Sequence, residues 1–104
     1  MDTNNPIIQE IITRIKTVYD PEIPVNIWDM GMIYDISVDA ELNAKILMTV
    51  TAPNCPVAES LPIDVKTAVE YVSKLKNVWV ELTFDPPWSP DLLSDEAKLE
   101  LGLL

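Results

Sequence analysis

The chain has 104 residues and a net charge of −10, from seven basic and seventeen acidic side chains. That length suits a single domain, 1–104, with one core if two layers pack together. The charge balance excludes nucleic acid and anionic membrane as partners, because phosphate binding needs a patch of Lys and Arg. Histidine is absent, so no Ser-His-Asp triad, Cys-His pair or histidine-ligated metal site can be built within the chain. The single cysteine, Cys55, cannot form an intramolecular disulfide, which suits a reducing, cytoplasmic setting. No basic-then-apolar leader is expected, and no apolar run nears the ~20 residues of a bilayer span.

Asn5-Pro6 is a helix start, with Asn as cap and Pro where no donor is needed. Ile7, Ile8, Ile11, Ile12, Ile15, Val18 and Tyr19 recur at helical spacing, so an amphipathic helix is predicted up to Asp20-Pro21. The next stretch, Asp20 to Met32, holds two prolines among apolar residues and reads as a loop packed along the domain. Gly31 there supplies a backbone conformation that a side chain would hinder.

Ile33–Val38 alternates, with Tyr34, Ile36 and Val38 on one side. Lys45–Thr51 alternates too, with Ile46, Met48 and Val50 opposite Leu47, Thr49 and Thr51. Both read as half-buried strands of an antiparallel hairpin joined by Asp39–Ala44. A second amphipathic helix follows through Val57, Leu61, Val65, Ala68, Val69, Val72 and Leu75. Pro62 requires either a start near Ser60 or a kink. Asn77–Phe84 is the third strand, with Val78, Val80, Leu82 and Phe84 inward and Trp79, Glu81 and Thr83 outward. Asp85–Pro90 is irregular. Ser94 caps a short last helix that Gly102 stops. The order α-β-β-α-β plus a short C-terminal helix predicts an α+β fold. It is a two-layer α/β sandwich, with two long helices on one face of a three-stranded, mostly antiparallel sheet. The sheet's other face, with Leu47, Thr49, Thr51, Trp79 and Thr83, is semi-polar and is either solvated or paired with another chain.

Three groups of residues could carry chemistry. Cys55 lies between a strand and a helix, framed by Pro53 and Pro56. Helix-start amides would favour its thiolate, a soft ligand for iron–sulfur clusters, zinc or copper(I). Equally, a lone cysteine can be a small buried hydrophobe. Asp20, Glu22, Asp29 and Asp35 could act as paired carboxylates, but an Asp before Pro commonly organises a turn. Trp28 and Trp88 lie in proline-bearing loops, where aromatics either anchor partners or cap the core.

Together these motifs resemble a known family. The stretches are Asp20-Pro-Glu-Ile-Pro-Val-Asn-Ile-Trp-Asp-Met-Gly-Met-Ile-Tyr34, Met48-Thr-Val-Thr-Ala-Pro-Asn-Cys-Pro56 and Val80-Glu-Leu-Thr-Phe-Asp-Pro-Pro-Trp88. Ser94-Asp-Glu-Ala-Lys-Leu-Glu-Leu-Gly102 completes the set. They are similar to the metal–sulfur cluster assembly factors of the SufT and PaaD-like type, whose domain is the MIP18-type assembly domain. The ending looks closest to the SufT branch, and the match runs from about Ile7 to Leu104. Met30 and Met32 stand where that family more often has leucines, which conserves volume.

The resemblance implies a cytoplasmic, non-enzymatic factor, often a homodimer, that works with iron–sulfur assembly proteins and client apoproteins. It puts the family's reactive cysteine on Cys55 and its motif threonine on Thr51. The acidic loop motif falls on Asp20 and Glu22, and Trp28, Asp29 and Trp88 would dock partners or support the loops. Cys55 would be a transient ligand or contact for a cluster shared between chains, since one thiol supplies one of the usual four ligands. The alternative is an adaptor or accessory subunit of a larger metalloenzyme assembly, with Cys55 incidental. A thiol or acid–base enzyme has no nucleophile–base pair to support it.

Overall fold

A computed structural model describes residues 2–20, 24–50 and 57–102. Its elements are α1 (Pro6–Ile15), β1 (Ile33–Val38), β2 (Asn43–Met48), α2 (Val57–Glu70), β3 (Asn77–Leu82), a short 3-10 turn (Pro90–Leu92) and α3 (Asp95–Glu100). This is the predicted α+β order.

The Asn5 side chain accepts a hydrogen bond from the Ile7 amide, 2.9 Å, and Pro6 opens α1. Ile8, Ile11 and Ile15 form its buried stripe. The helix stops at Ile15, earlier than predicted. Thr17 and Val18 donate to Arg14 and Ile15 in tighter turns, and Tyr19 then bridges to Asn26. Val18 remains buried, while Tyr19 is exposed rather than part of the apolar face.

The hairpin between β1 and β2 is tighter than the six-residue link predicted. Asp39 accepts from the Glu41 and Asn43 amides at 2.9 Å each, and the Leu42 amide donates to the Asp39 carbonyl. Leu42 takes a positive φ of 67°, the left-handed position that closes such a turn with a bulge.

The sheet runs β1-β2-β3, with β1 antiparallel and β3 parallel to the central β2. The expectation of a mostly antiparallel sheet therefore gives way to a mixed one. The reason is the connection: α2 carries the chain back across the sheet, and a helical crossover returns it in the same direction.

A bulge also corrects the predicted alternation. Ile33 faces Met48 while Asp35 faces Leu47, so Tyr34 is the extra residue. Ile33 packs on the core in its place, and the Tyr34 hydroxyl donates to the Pro86 carbonyl, 2.8 Å.

One sheet face is buried through Ile36, Ala44, Ile46 and Met48, which pack with Ile11, Ile15, Leu61, Val65 and Val69. α1 lies against β1 and α2, and α2 lies against β3. Helix α2 is continuous from Val57 with Pro62 inside it. The loop residues Val25, Ile27, Met30 and Met32 are buried, as the packed-loop reading required. On the other face Ser37, Lys45, Trp79 and Glu81 are exposed. Thr49 departs from the expected semi-polar face, being fully buried, and Phe84 is exposed rather than inward. No helix of the described residues is long and apolar enough to cross a membrane.

Candidate functional site

The chain from Asn26 to Gly31 folds into a compact turn because its side chains bond to its own backbone. Asn26 Oδ1 accepts from the Asp29 amide, 2.9 Å, and Asn26 Nδ2 donates to Asp29 Oδ2, 2.8 Å. The Met30 and Gly31 amides donate to the Asn26 and Trp28 carbonyls. Gly31 sits at φ +76°, and a Cβ there would lie 2.2 Å from the Leu92 carbonyl oxygen. Glycine is required twice, for the backbone angle and for the approach of the 3-10 turn.

Two later segments dock on this turn. The Trp88 indole Nε1 donates to the Met30 carbonyl at 2.7 Å, and the Ser94 amide donates to the Asp29 carbonyl at 2.9 Å. Ser94 then caps α3, its hydroxyl accepting from the Ala97 amide. Trp28 and Trp88 are half-buried against the core. Thus Trp28, Asp29 and Trp88 come together in one scaffold, 58 residues of sequence separating Trp88 from its acceptor. Asp20 is buried beside the Tyr19–Asn26 bridge that closes the base of the loop.

Beside the turn lies a groove of about 300 Å³ between the loop and α3. Asp29, Glu96 and Glu100 supply its carboxylates, and Tyr19, Pro24 and Val25 its apolar wall.

Cys55, Thr51 and Glu22 lie outside the described residues. The strand end that precedes Thr51 and Cys55 in sequence is held by backbone bonds on both sides. The Thr49 amide donates to the Met32 carbonyl, 2.8 Å, and the Thr83 amide donates to the Met48 carbonyl, 2.8 Å. The central strand is therefore clasped on both sides just before that segment, and Thr49 and Val50 are buried. Among the described residues no group of three or more His, Cys, Asp and Glu could hold a metal ion.

Asn26 and the Trp88–Met30 bond are not among the candidates read from sequence, and Thr49, expected on the semi-polar face, is buried. Asn26 had a readable signal, an Asn three residues before an Asp in a Pro-bounded loop. The bond from Trp88 had none, because nothing local pairs two segments so far apart.

Residues 8–82 match the family model described as iron–sulfur cluster assembly protein. A protein of Porphyromonas gingivalis named Fe-S protein maturation auxiliary factor is 48% identical over 97% of this chain and 99% of its own length. The Fe-S protein maturation auxiliary factor SufT of Staphylococcus aureus is 33% identical over 83% of this chain and 98% of its own. Among solved structures, a domain of unknown function DUF59 from Bacillus anthracis superposes with a TM-score of 0.88, at 33% identity over 94% of this chain and 93% of that one. The motif resemblance, the fold and the near full-length identity agree, and the chain belongs to the iron–sulfur cluster assembly protein family.

Proposed function

We propose that this chain is a non-enzymatic accessory factor of iron–sulfur cluster assembly, acting in the cytoplasm as a homodimer. It assists cluster transfer to client apoproteins, with the cluster as cargo. The observation that carries this reading is 48% identity across nearly the whole length of a maturation auxiliary factor.

Cys55 acts as a transient cluster ligand or contact, with Thr51 beside it in sequence. A soft thiolate suits iron–sulfur cargo, and a single thiol must share the ligand set with another chain. The scaffold of Trp28, Asp29 and Trp88, with Asp20 next to it and Glu22 two residues on in sequence, forms the docking side. Its acidic groove suits a basic segment of an assembly protein or client.

The test is a Cys55→Ser variant, assayed for activation of a cluster-dependent client enzyme and for its circular dichroism spectrum. The expected result is an unchanged spectrum with client activation reduced about tenfold or more, the scale of losing one ligand-shell contact. Full client activation by that variant would discard the thiol role and leave the adaptor reading. Anaerobic reconstitution with iron and sulfide, read by visible absorbance and native mass, identifies any cluster bridging two chains.

A further inference from the structure

The two edges of the sheet differ. At the β1 edge the strand is interrupted by the Tyr34 bulge, which blunts an edge against pairing. β3, the other edge, has neither a bulge nor a proline, and its one charged residue is Glu81. The Thr83 amide turns toward Met48 of β2. Backbone direction alternates along a strand, so the N–H and C=O groups of Val78, Val80 and Leu82 turn away from β2, to the open edge. Beside them a groove of about 370 Å³ runs between β3 and α2, lined by Pro62, Ile63, Lys66, Val78, Trp79 and Val80. Ile63 is 65% and Trp79 71% exposed. Among the described residues this edge has no strand partner, and apolar side chains stand beside it.

We infer that a second copy of this chain pairs along β3, antiparallel, to make one continuous six-stranded sheet. The strand is complementary to itself when Val80 faces Val80 of the second copy. Val78 then faces Leu82 of the other chain, and all three outward-turned residues of each strand exchange both backbone bonds. The faces also match. Val78, Val80 and Leu82 stay on the core side, where the second copy's Val80 and Leu82 reach the groove beside Ile63, and Trp79 covers the stem of Glu81. Charge agrees as well. Lys74 and Lys76 precede the strand and Asp85 follows it, all exposed, and antiparallel pairing brings the cationic end of each copy to the acidic end of the other. An antiparallel extended segment of another protein is the competing occupant.

This interface deepens the homodimer part of the proposed function and names its surface; it does not depend on Cys55. The full chain is taken to sedimentation equilibrium, as wild type and as Val80→Pro. The proline removes an amide that faces the open edge and spares the ladder to β2. Wild type is expected to dimerise reversibly, and more tightly as salt screens the repulsion between two copies of charge −10. Val80→Pro, with its circular dichroism unchanged, is expected to weaken dimerisation about tenfold or more through two lost backbone bonds. If Val80→Pro does not fold, the charge pair decides. Lys76→Glu weakens the dimer, and adding Asp85→Lys restores it. Hydrogen exchange at Val78, Val80 and Leu82 should slow as protein concentration rises. A wild-type chain that stays monomeric overturns both the interface and the homodimer reading. A dimer indifferent to Val80→Pro, or to the charge swap, overturns the interface alone and leaves the dimer and the thiol role standing. A monomer whose β3 amides are protected only by an added extended Lys- and Val-rich peptide overturns the interface and the homodimer reading together, and identifies the competing occupant.

Discussion

Trp88 reaches back to the Met30 carbonyl with a single short hydrogen bond, and the consequence of losing it is measurable. Met30 is fully buried, so its carbonyl has poor access to a replacement partner. Trp88→Phe keeps most of the ring's packing and deletes the donor. It should cost about 1–2 kcal/mol, read from the urea midpoint at unchanged slope. Gly31 was readable from sequence as a special backbone position, because a glycine among large apolar residues forgoes packing and adds backbone freedom to the unfolded chain, costs that a required turn offsets. Its second role, making room for the Leu92 carbonyl, was not readable, since Leu92 arrives from a distant part of the chain. The same holds for Asp29. Its partner Asn26 is local and could be found, whereas the Ser94 amide on its carbonyl could not.

At the level of elements, the β1–β2 turn is tied by Asp39. Hydrogen bonds from the Asn43 backbone and side chain, with a lesser backbone bond from Glu41 and the positive field of Lys76, hold its carboxyl below the ordinary value of 3.8. A carboxyl held low in the folded chain stabilises it above the unfolded value, and that contribution is lost as pH falls below 3.8 through the folded value. Asp39→Ala should therefore remove one component of the acid limb of a stability–pH curve and lower the neutral plateau. Chemical denaturation at stepped pH checks it: an unchanged acid limb would mean that the turn does not depend on the charge. Period-2 alternation located all three strands, yet it placed Tyr34 inward, because a bulge leaves no mark in hydrophobic pattern. Helix α1 ended early for a related reason. Val18 and Tyr19 keep the right spacing for a helix, but the bridge to Asn26 gives Tyr19 a different backbone partner.

For the whole molecule, the core lies between the two helices and the inner face of the sheet, with α1 over β1 and α2 over β3. Ile46 is fully buried there, while Lys45 beside it points outward in an exposed pair with Glu81 at 3.5 Å. Ile46→Ala should cost about 2–5 kcal/mol, and Lys45→Ala less than about 1 kcal/mol. Comparable losses from the two, measured by thermal and urea unfolding, would contradict the assigned faces. Layer order was legible because each long element has one apolar face. Strand direction was legible too, but was read wrongly: a helical crossover between β2 and β3 returns the chain in the same direction, so the predicted strand–helix–strand order already called for a parallel pair there. That crossover also sets an order of assembly. The β1–β2 hairpin closes over a tight turn, but β3 must wait until the whole of α2 has been spanned, and the entropy of closing a loop rises with its length. During synthesis the central strand therefore has one neighbour long before it has two. Its second edge stays unpaired until the last strand emerges, which makes the nascent hairpin, rather than the finished domain, the form most in need of protection from mispairing.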